Sequence, residues 1–548
     1  VSGEPPVLAV SGYSLAYRVA AEARPALRDI NLSIARGRTL GLVGESGSGK
    51  SSLAWAIMRA LAPNAVELAG TIRLGSLDLR ALSRRQLADI RGRRIAMVFQ
   101  DPATSLNPTM KLGEQVAEVL LRHRALPRAA AWRIAEDALA RTGIARPAEM
   151  LRRYPHEASG GEKQRVVIAT AFACEPDLIV FDEPTTALDV LTAQQILALF
   201  QRLREATQVS ALYISHDLSL VAGVADEVAV LHRGEVVEQG AVRQVLRRPR
   251  AAYTERLVAS VPDPARWIGT TPPSTDRALL GLDNIGVRYA GAGLVGRLGG
   301  GRIAYWGARD ISFAIRPGEM LGLVGESGSG KSTIAKVLAG LQDFTGVLDF
   351  DGQAIAARGT LGRSYRRRVQ IVFQHPDASL NPRQTVRQIL SRPLLLYGLA
   401  GRAALVAAIA KLLALVRLPG EYAARRPHQL SGGEKQRVAI ARAFAARPDL
   451  VICDEITSSL DVSVQASVAE LLVSLQRETG TACLFITHDL NLVRQLAHRI
   501  GVMQSGALVD LFATADAEAP ERHPYTRDLL AAVPRLSIAL AKDASDAE

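Results

Sequence analysis

The chain has 548 residues, a formal net charge of +12 and an apolar fraction of 48%, which is more chain than one hydrophobic core ordinarily organises and suits two domains. Its arginines are scattered rather than interleaved with aromatics, so the charge does not point to nucleic-acid binding. Part of it can serve an anionic nucleotide and part can face acidic lipid head groups or a membrane partner.

In chain order, strand-like alternation at Asn31–Ile34 comes first, and the apolar run Leu40–Val43 then leads into Gly44-Glu45-Ser46-Gly47-Ser48-Gly49-Lys50-Ser51, with Ser52 after it. A buried strand, a glycine-rich loop and a helix starting near Ser51 form a phosphate cradle: backbone N–H groups point inward and the helix N-terminus adds positive potential. Lys50 would reach the β- and γ-phosphates and the Ser51 hydroxyl would hold Mg²⁺. A Phe99-Gln100 pair and a helix-rich middle follow. Ser159-Gly160-Gly161 then precedes Glu-Lys-Gln-Arg and an apolar-periodic helix, which taken alone is an ordinary helix start. The buried strand Leu178–Phe181 delivers Asp182 and Glu183 to a sheet edge. There the first carboxylate suits a metal shell and the second, through strand alternation, can point elsewhere and polarise a water. Ala211–Ile214 is a further short strand, ending near His216. Strands alternating with helices imply a mainly parallel sheet with an antiparallel portion near the start.

Val261–Arg277 carries Pro262, Pro264, Pro272 and Pro273 and reads as an extended linker. The expected division is therefore a first domain over 1–262, a linker over 263–280 and a second domain over 281–548. A glycine-rich stretch, Ala290–Gly301, interrupts the opening strands of the second half as a surface hairpin. Ile311–Ile315 is again strand-like, and the octapeptide returns as Gly325-Glu326-Ser327-Gly328-Ser329-Gly330-Lys331-Ser332, with Thr333 after it. Gln374, Ser431-Gly432-Gly433, Asp454-Glu455 and His488 complete the series, the acidic pair again at the end of an apolar strand, Leu450–Cys453. Lys331 follows Lys50 by 281 residues and Gln374 follows Gln100 by 274, and the offset then holds at 272 from Ser431 to His488. A long period with its functional spacing intact is whole-domain duplication rather than a solenoid.

Cys174, Cys453 and Cys483 lie in apolar stretches without CxxC spacing, which argues against a metal centre or a disulfide framework and for a reducing, cytoplasmic compartment. No run of about eighteen uncharged apolar residues occurs, and the N-terminus lacks a basic segment followed by an apolar core, so neither a membrane span nor export is expected. The longest apolar tract, Ala403–Val416, contains Lys411 and reads as a buried or amphipathic helix.

These elements, in this order in both halves, resemble the ATP-binding-cassette ATPases nearly end to end. The fold so implied is α/β: two tandem P-loop NTPase domains, each with a mainly parallel core sheet, an antiparallel β subdomain and a helical subdomain. Ala187-Leu188-Asp189 and Ser459-Leu460-Asp461 fit the family pattern, and His216 and His488 take the place of a γ-phosphate contact. Tyr17 and Tyr289 look like the aromatic that stacks on adenine, a simple strand aromatic being the other reading. The resemblance implies ATP and Mg²⁺, the metal held by Ser51, Gln100 and Asp182 and by Ser332, Gln374 and Asp454, with Glu183 and Glu455 activating water. It also implies head-to-tail pairing, so that the first cassette's loop set is completed by Ser431, Gly432 and Gly433 and the second's by Ser159, Gly160 and Gly161. Ala158 against Leu430, Thr170 against Arg442 and Pro184 against Ile456 break the symmetry without removing a phosphate, metal or water-activating group.

Asp101-Pro-Ala-Thr-Ser105-Leu-Asn-Pro108 and His375-Pro-Asp-Ala-Ser379-Leu-Asn-Pro382 resemble the loops of the dipeptide, oligopeptide and nickel importer branch. So do the tails with Tyr253-Thr254 and His523-Pro-Tyr525-Thr526, and the insertion Gly293-Leu-Val-Gly-Arg297. Neither tail contains cysteine, so the iron–sulfur cluster of many branch members is not expected. The resemblance implies two integral-membrane permease subunits, an extracytoplasmic substrate-binding protein, and a peripheral place on the cytoplasmic face of the inner membrane, with no nucleic acid. A soluble twin-cassette ATPase acting on ribosomes or nucleic acid is the alternative, and its usual long charged helical linker is absent here.

Overall fold

The computed structural model describes residues 5–19, 22–186, 188–273, 275–290, 304–355, 361–458 and 460–541. Ala187, Ser459 and most of the glycine-rich stretch Ala290–Gly301, including Gly293–Arg297, lie outside them. The chain forms two compact units, Val1–Val261 with Pro534–Glu548, and Pro262–Val533.

In the first unit a six-stranded sheet runs in the order Glu235–Ala241, Glu227–His232, Thr39–Val43, Ser210–Ile214, Leu178–Asp182, Ile95–Val98. All neighbours are parallel except the edge pair made by Glu235–Ala241 and Glu227–His232. The central strands are five residues long and buried throughout, which is why they read as unbroken apolar runs. A four-stranded antiparallel sheet, Glu22–Ile34, Leu8–Val19, Ala65–Leu74, Leu77–Asp78, packs its apolar face on one side. Leu112–His123, Arg128–Arg141 and the signature helix Gly160–Phe172 build the helical part, in the core on the other side.

The second unit repeats both sheets in the same order. Val369–Val372, Leu450–Asp454, Ala482–Ile486, Met320–Gly325, Arg499–Gln504 and Ala507–Ala513 form the mainly parallel one, and Ala304–Ile315, Leu280–Ala290, Thr345–Phe350 and Gln353–Ile355 the antiparallel one. The apolar tract near 403–416 forms the helix Leu405–Leu415, amphipathic rather than enclosed: Ile409, Leu412 and Leu413 are buried while Val406 is 66% exposed. No helix of the described residues is long and apolar enough to cross a membrane.

Two segments differ from the expected division. The expected linker, 263–280, belongs to the second unit and its 263–270 portion is bonded to it. Ile268 N–H donates to the Gln495 carbonyl at 2.8 Å, the Gln495 amide donates to the Asp263 carbonyl at 2.8 Å, and Thr270 pairs with His498 at 3.2 Å. Residues 534–541 group with the first unit, not the second. Leu536 and Leu540 of the helix Leu536–Ala541 pack into its apolar core, and the Arg247 guanidinium donates to the Leu540 carbonyl.

Candidate active sites

Each phosphate loop leaves a buried central strand and enters a helix, Lys50–Ile57 or Lys331–Leu338. Gly49 and Gly330 at the junction have φ of 109° and 103°, a conformation L side chains avoid. A Cβ at Gly44 would stand 2.1 Å from the Leu231 carbonyl oxygen and one at Gly325 2.2 Å from that of Met503, so the loop presses on the next strand. Lys50 and Lys331 are buried. The Lys50 Nζ donates to the carbonyls of Gly44 and Glu45 at 2.6 and 2.9 Å, and Lys331 to those of Gly325 and Glu326, both at 2.8 Å. The ammonium thus rests curled inside its own loop, where an incoming phosphate would take it over.

The Ser51 hydroxyl donates to Asp182 Oδ1 at 3.3 Å and Ser332 to Asp454 Oδ1 at 2.9 Å. Burial pushes both aspartate carboxyls above the usual range; the adjacent glutamate charge adds to this and the serine hydroxyls oppose it. A divalent cation beside them would favour the charged form, and hydroxyl plus carboxylate with the side-chain oxygen of Gln100 or Gln374 is the hard-oxygen set that Mg²⁺ takes together with phosphate.

Glu183 and Glu455 are not placed by strand alternation. The strands end at Asp182 and Asp454, and both glutamates have φ of 49°. Their N–H groups still donate to the next strand, at Ile214 and Ile486, at 3.0 and 2.9 Å. Holding a non-glycine residue there costs on the order of 1 kcal/mol, and such strain gathers at functional sites. The turn brings three groups to the first carboxylate and two to the second. Gln100 Nε2 donates to Glu183 at 3.0 Å, the Thr186 hydroxyl at 3.1 Å, and His216 Nδ1 lies 3.2 Å away. In the second unit Gln374 Nε2 donates to Glu455 at 3.1 Å and to Ser458 at 3.2 Å, and His488 Nδ1 lies 3.8 Å away. Burial presses the Glu183 carboxyl upward, yet His216 and Thr186 outweigh it and hold it below its ordinary value. His488 does the same for Glu455 against burial. His216 is pulled down by burial and raised above its ordinary value by Glu183.

Ser159 and Ser431 cap the helices Gly160–Phe172 and Gly432–Phe444 in reciprocal capping boxes with Glu162 and Glu434, backbone N–H to carboxylate 2.8 Å in each. Their glycines divide by role. An added Cβ at Gly161 would stand 2.8 Å from Thr192 Cγ2 and one at Gly433 2.6 Å from Val464 Cγ1, whereas at Gly160 and Gly432 the nearest atom is 3.9 Å away. Gly161 and Gly433 therefore serve helix packing, while Gly160 and Gly432 are exposed with their faces open. Asp189 caps the helix Val190–Thr207 by accepting from Thr192 N–H at 2.9 Å. The Tyr17 hydroxyl meets Ser52 and that of Tyr289 meets Thr333, each at 3.3 Å, which seats both rings over the start of the helix behind the loop.

A family model described as "ABC transporter" matches residues 27–186 and again 308–458. The chain belongs to the ABC transporter family. A second model, "Oligopeptide/dipeptide transporter, C-terminal region", matches 237–290. The chain is 40% identical to the glutathione import ATP-binding protein GsiA of Pectobacterium atrosepticum, over 96% of this chain and 89% of that one. It is also 40% identical to that of Salmonella typhimurium and 39% to that of Escherichia coli K12, with the same coverages. As a tandem-cassette member of this family it binds and hydrolyses ATP.

The two cassettes are not identical around these sites. Arg442, whose guanidinium is held below its usual pKa by burial, donates to the Ser379 carbonyl at 2.5 Å and so ties the signature helix to the glutamine loop. Thr170, its counterpart, only back-bonds to Val166 within its own helix at 2.8 Å. Tyr289 faces Tyr305 across its hairpin with ring centroids 5.4 Å apart, where Tyr17 faces Arg24. Ala158 and Leu430 are both buried, as are Pro184 and Ile456, so those exchanges are matters of packing. Sequence reasoning missed Thr186 and Ser458 beside the glutamates and a tyrosine hydroxyl at each loop, because nothing in local spacing says which distant hydroxyl arrives there.

Proposed function

We propose that this chain is the ATP-hydrolysing subunit of a peptide importer, working with two permease subunits and an extracytoplasmic binding protein from the cytoplasmic face of the inner membrane. The observation that carries the hydrolytic part is the repeated cluster of a strained glutamate, a glutamine and a histidine beyond a serine–aspartate pair and a buried lysine. In the first site Gly44–Ser52 cradles the phosphates, Lys50 leaves its carbonyls for the β- and γ-phosphates, and Tyr17 stacks on the base; Gly325–Thr333, Lys331 and Tyr289 do so in the second. Ser51, Gln100 and Asp182, and Ser332, Gln374 and Asp454, would hold Mg²⁺, which when bound neutralises charge on the β- and γ-phosphates. Glu183 and Glu455 accept the proton of the attacking water, and His216 and His488 orient the carboxylate and contact the γ-phosphate. Each site is completed by the exposed Ser-Gly-Gly of the opposite cassette, so ATP favours the closed arrangement and hydrolysis releases it.

Peptide as cargo rests on the match to the oligopeptide/dipeptide C-terminal region and on relatives named for glutathione, itself a tripeptide. Reconstitution in vesicles with the permeases and binding protein tests it. ATP-dependent uptake of labelled dipeptide, oligopeptide or glutathione supports the reading. Recovery of the chain with ribosomes instead of two integral membrane proteins would sink it.

A further inference from the structure

In both units a helix near the C-terminal end of the domain reaches back to the phosphate loop through one hydroxyl. Tyr253, on the first turn of Ala252–Ala259, accepts a hydrogen bond from the Glu45 N–H at 3.1 Å. Tyr525, on the first turn of Pro524–Ala532, accepts one from the Glu326 N–H at 3.2 Å. Both rings are buried. Each helix is anchored behind this contact by a carboxylate on the antiparallel edge strand. Glu238 accepts from the Arg250 and Ala251 N–H groups at 2.9 and 3.1 Å, and Asp510 accepts from the His523 N–H at 3.0 Å and from the Arg522 guanidinium at 3.3 Å. Acid and tyrosine both recur at the 272-residue offset of the rest of the site, so the same connection is built twice from different surrounding sequence.

The residue at the second loop position is thereby held through both of its main-chain groups. Tyr253 takes the Glu45 N–H while the Lys50 ammonium takes its carbonyl at 2.9 Å, and Tyr525 and Lys331 treat Glu326 alike, the latter at 2.8 Å. When the lysine turns to a phosphate, its hold on that carbonyl is released, and the phenol remains to keep the loop N–H groups aimed inward. We propose that Tyr253 and Tyr525 are positioning residues for nucleotide binding and that the C-terminal segments are braces of the phosphate loops. By linkage, whatever displaces the helix weakens phosphate binding in that cassette, and nucleotide holds the helix down. This rests on the reading of 44–52 and 325–333 as phosphate-binding loops.

The test uses the full chain with one site silenced: Tyr253→Phe in a Lys331→Ala background and Tyr525→Phe in a Lys50→Ala background. Phenylalanine keeps the buried ring and removes only the hydroxyl. Calorimetric affinities for ATP, ADP and inorganic tripolyphosphate should all weaken about fivefold, the size of one hydrogen bond, with the melting temperature lowered by no more than about 4 °C. In the otherwise wild-type chain the double Phe variant should raise KM for ATP while kcat stays within twofold. Hydrogen exchange in 252–259 and 524–532 should slow when ATP is added. Wild-type affinity in both Phe variants, or a loss accompanied by a fall in melting temperature well beyond about 4 °C, would overturn the brace. If Lys50→Ala and Lys331→Ala together leave ATP binding intact, the loop reading itself fails. If they abolish it while the Phe variants bind normally, only the brace does.

Discussion

Glu183→Gln and Glu455→Gln remove one charge each and almost no volume. Gln at 183 keeps an oxygen for the Gln100 amide at 3.0 Å and the Thr186 hydroxyl at 3.1 Å, so the local hydrogen bonds survive. The backbone φ of 49° is no easier or harder for glutamine than for glutamate, so the strain is unchanged and each variant should fold and bind ATP as before. What is lost is the proton acceptor. General-base catalysis is worth about 10²–10⁴ in rate, or roughly 3–5 kcal/mol of barrier, so turnover with either variant should fall steeply while ATP affinity holds. A second signature accompanies the first: Glu183 is the main group that raises His216 against burial, with Asp217 adding to it, so the His216 pKa should drop in Glu183→Gln. Steady-state phosphate release, ATP titration and histidine NMR read the three quantities. If either variant keeps turnover within twofold with binding intact, the assignment of that glutamate is wrong; if only one matters, the two sites are not equally competent.

Gly161→Ala and Gly433→Ala should each destabilise their cassette by about 1–3 kcal/mol through overpacking, because the new methyl would press on Thr192 and Val464. Gly160→Ala and Gly432→Ala have room, so calorimetry should find their melting unchanged while ATP turnover falls. Arg442→Ala strips a buried charged donor from the Ser379 carbonyl and should cost the second cassette about 1.5–3 kcal/mol, whereas Thr170→Ala in the first should cost well under half of that by the same melt. Glu67 receives Arg59 at 2.6 and 2.8 Å and the Tyr13 hydroxyl at 2.9 Å; burial pushes its carboxyl up, but these partners outweigh it and hold it below the usual carboxylate range. A lowered native pKa contributes stability above the unfolded value, near 4.3, and loses it as pH falls through the native value. Solvent screening limits this to about 1 kcal/mol, so Glu67→Gln should melt lower than wild type at pH 7 and the gap should narrow as the pH falls below the unfolded value.

Much of the site was legible because its parts are local. A glycine loop between a buried strand and a helix, a serine that caps its own helix, and an acidic pair closing an apolar strand each state their geometry within a few residues, and the constant offset of 272 turned separate motifs into one repeated domain. Both six-stranded sheets also followed from alternating strands and helices, since parallel strands need crossovers. The linker shows where local reading stops. Four prolines announce an extended chain, but not that Ile268, Thr270 and Asp263 find Gln495 and His498 to lie against.

The sequence by itself determined that there are two glycine loops between a strand and a helix, two acidic pairs closing a strand and two serine-capped helices, because loop and cap geometry is set by residues adjacent in the chain. Only the tertiary structure decided how the glutamates face. Their direction comes from a left-handed turn after the strand, held by a hydrogen bond to the neighbouring strand, rather than from the alternation the sequence suggests. The resemblance already grouped Gln100 and His216 with Glu183, but only the tertiary structure gave their contacts, as it gave Tyr253 and Tyr525 at the loops and Leu536 and Leu540 in the first unit's core. These contacts span from tens to hundreds of residues, and no pattern within a window encodes them. They follow from strand order and from which apolar face a helix must bury.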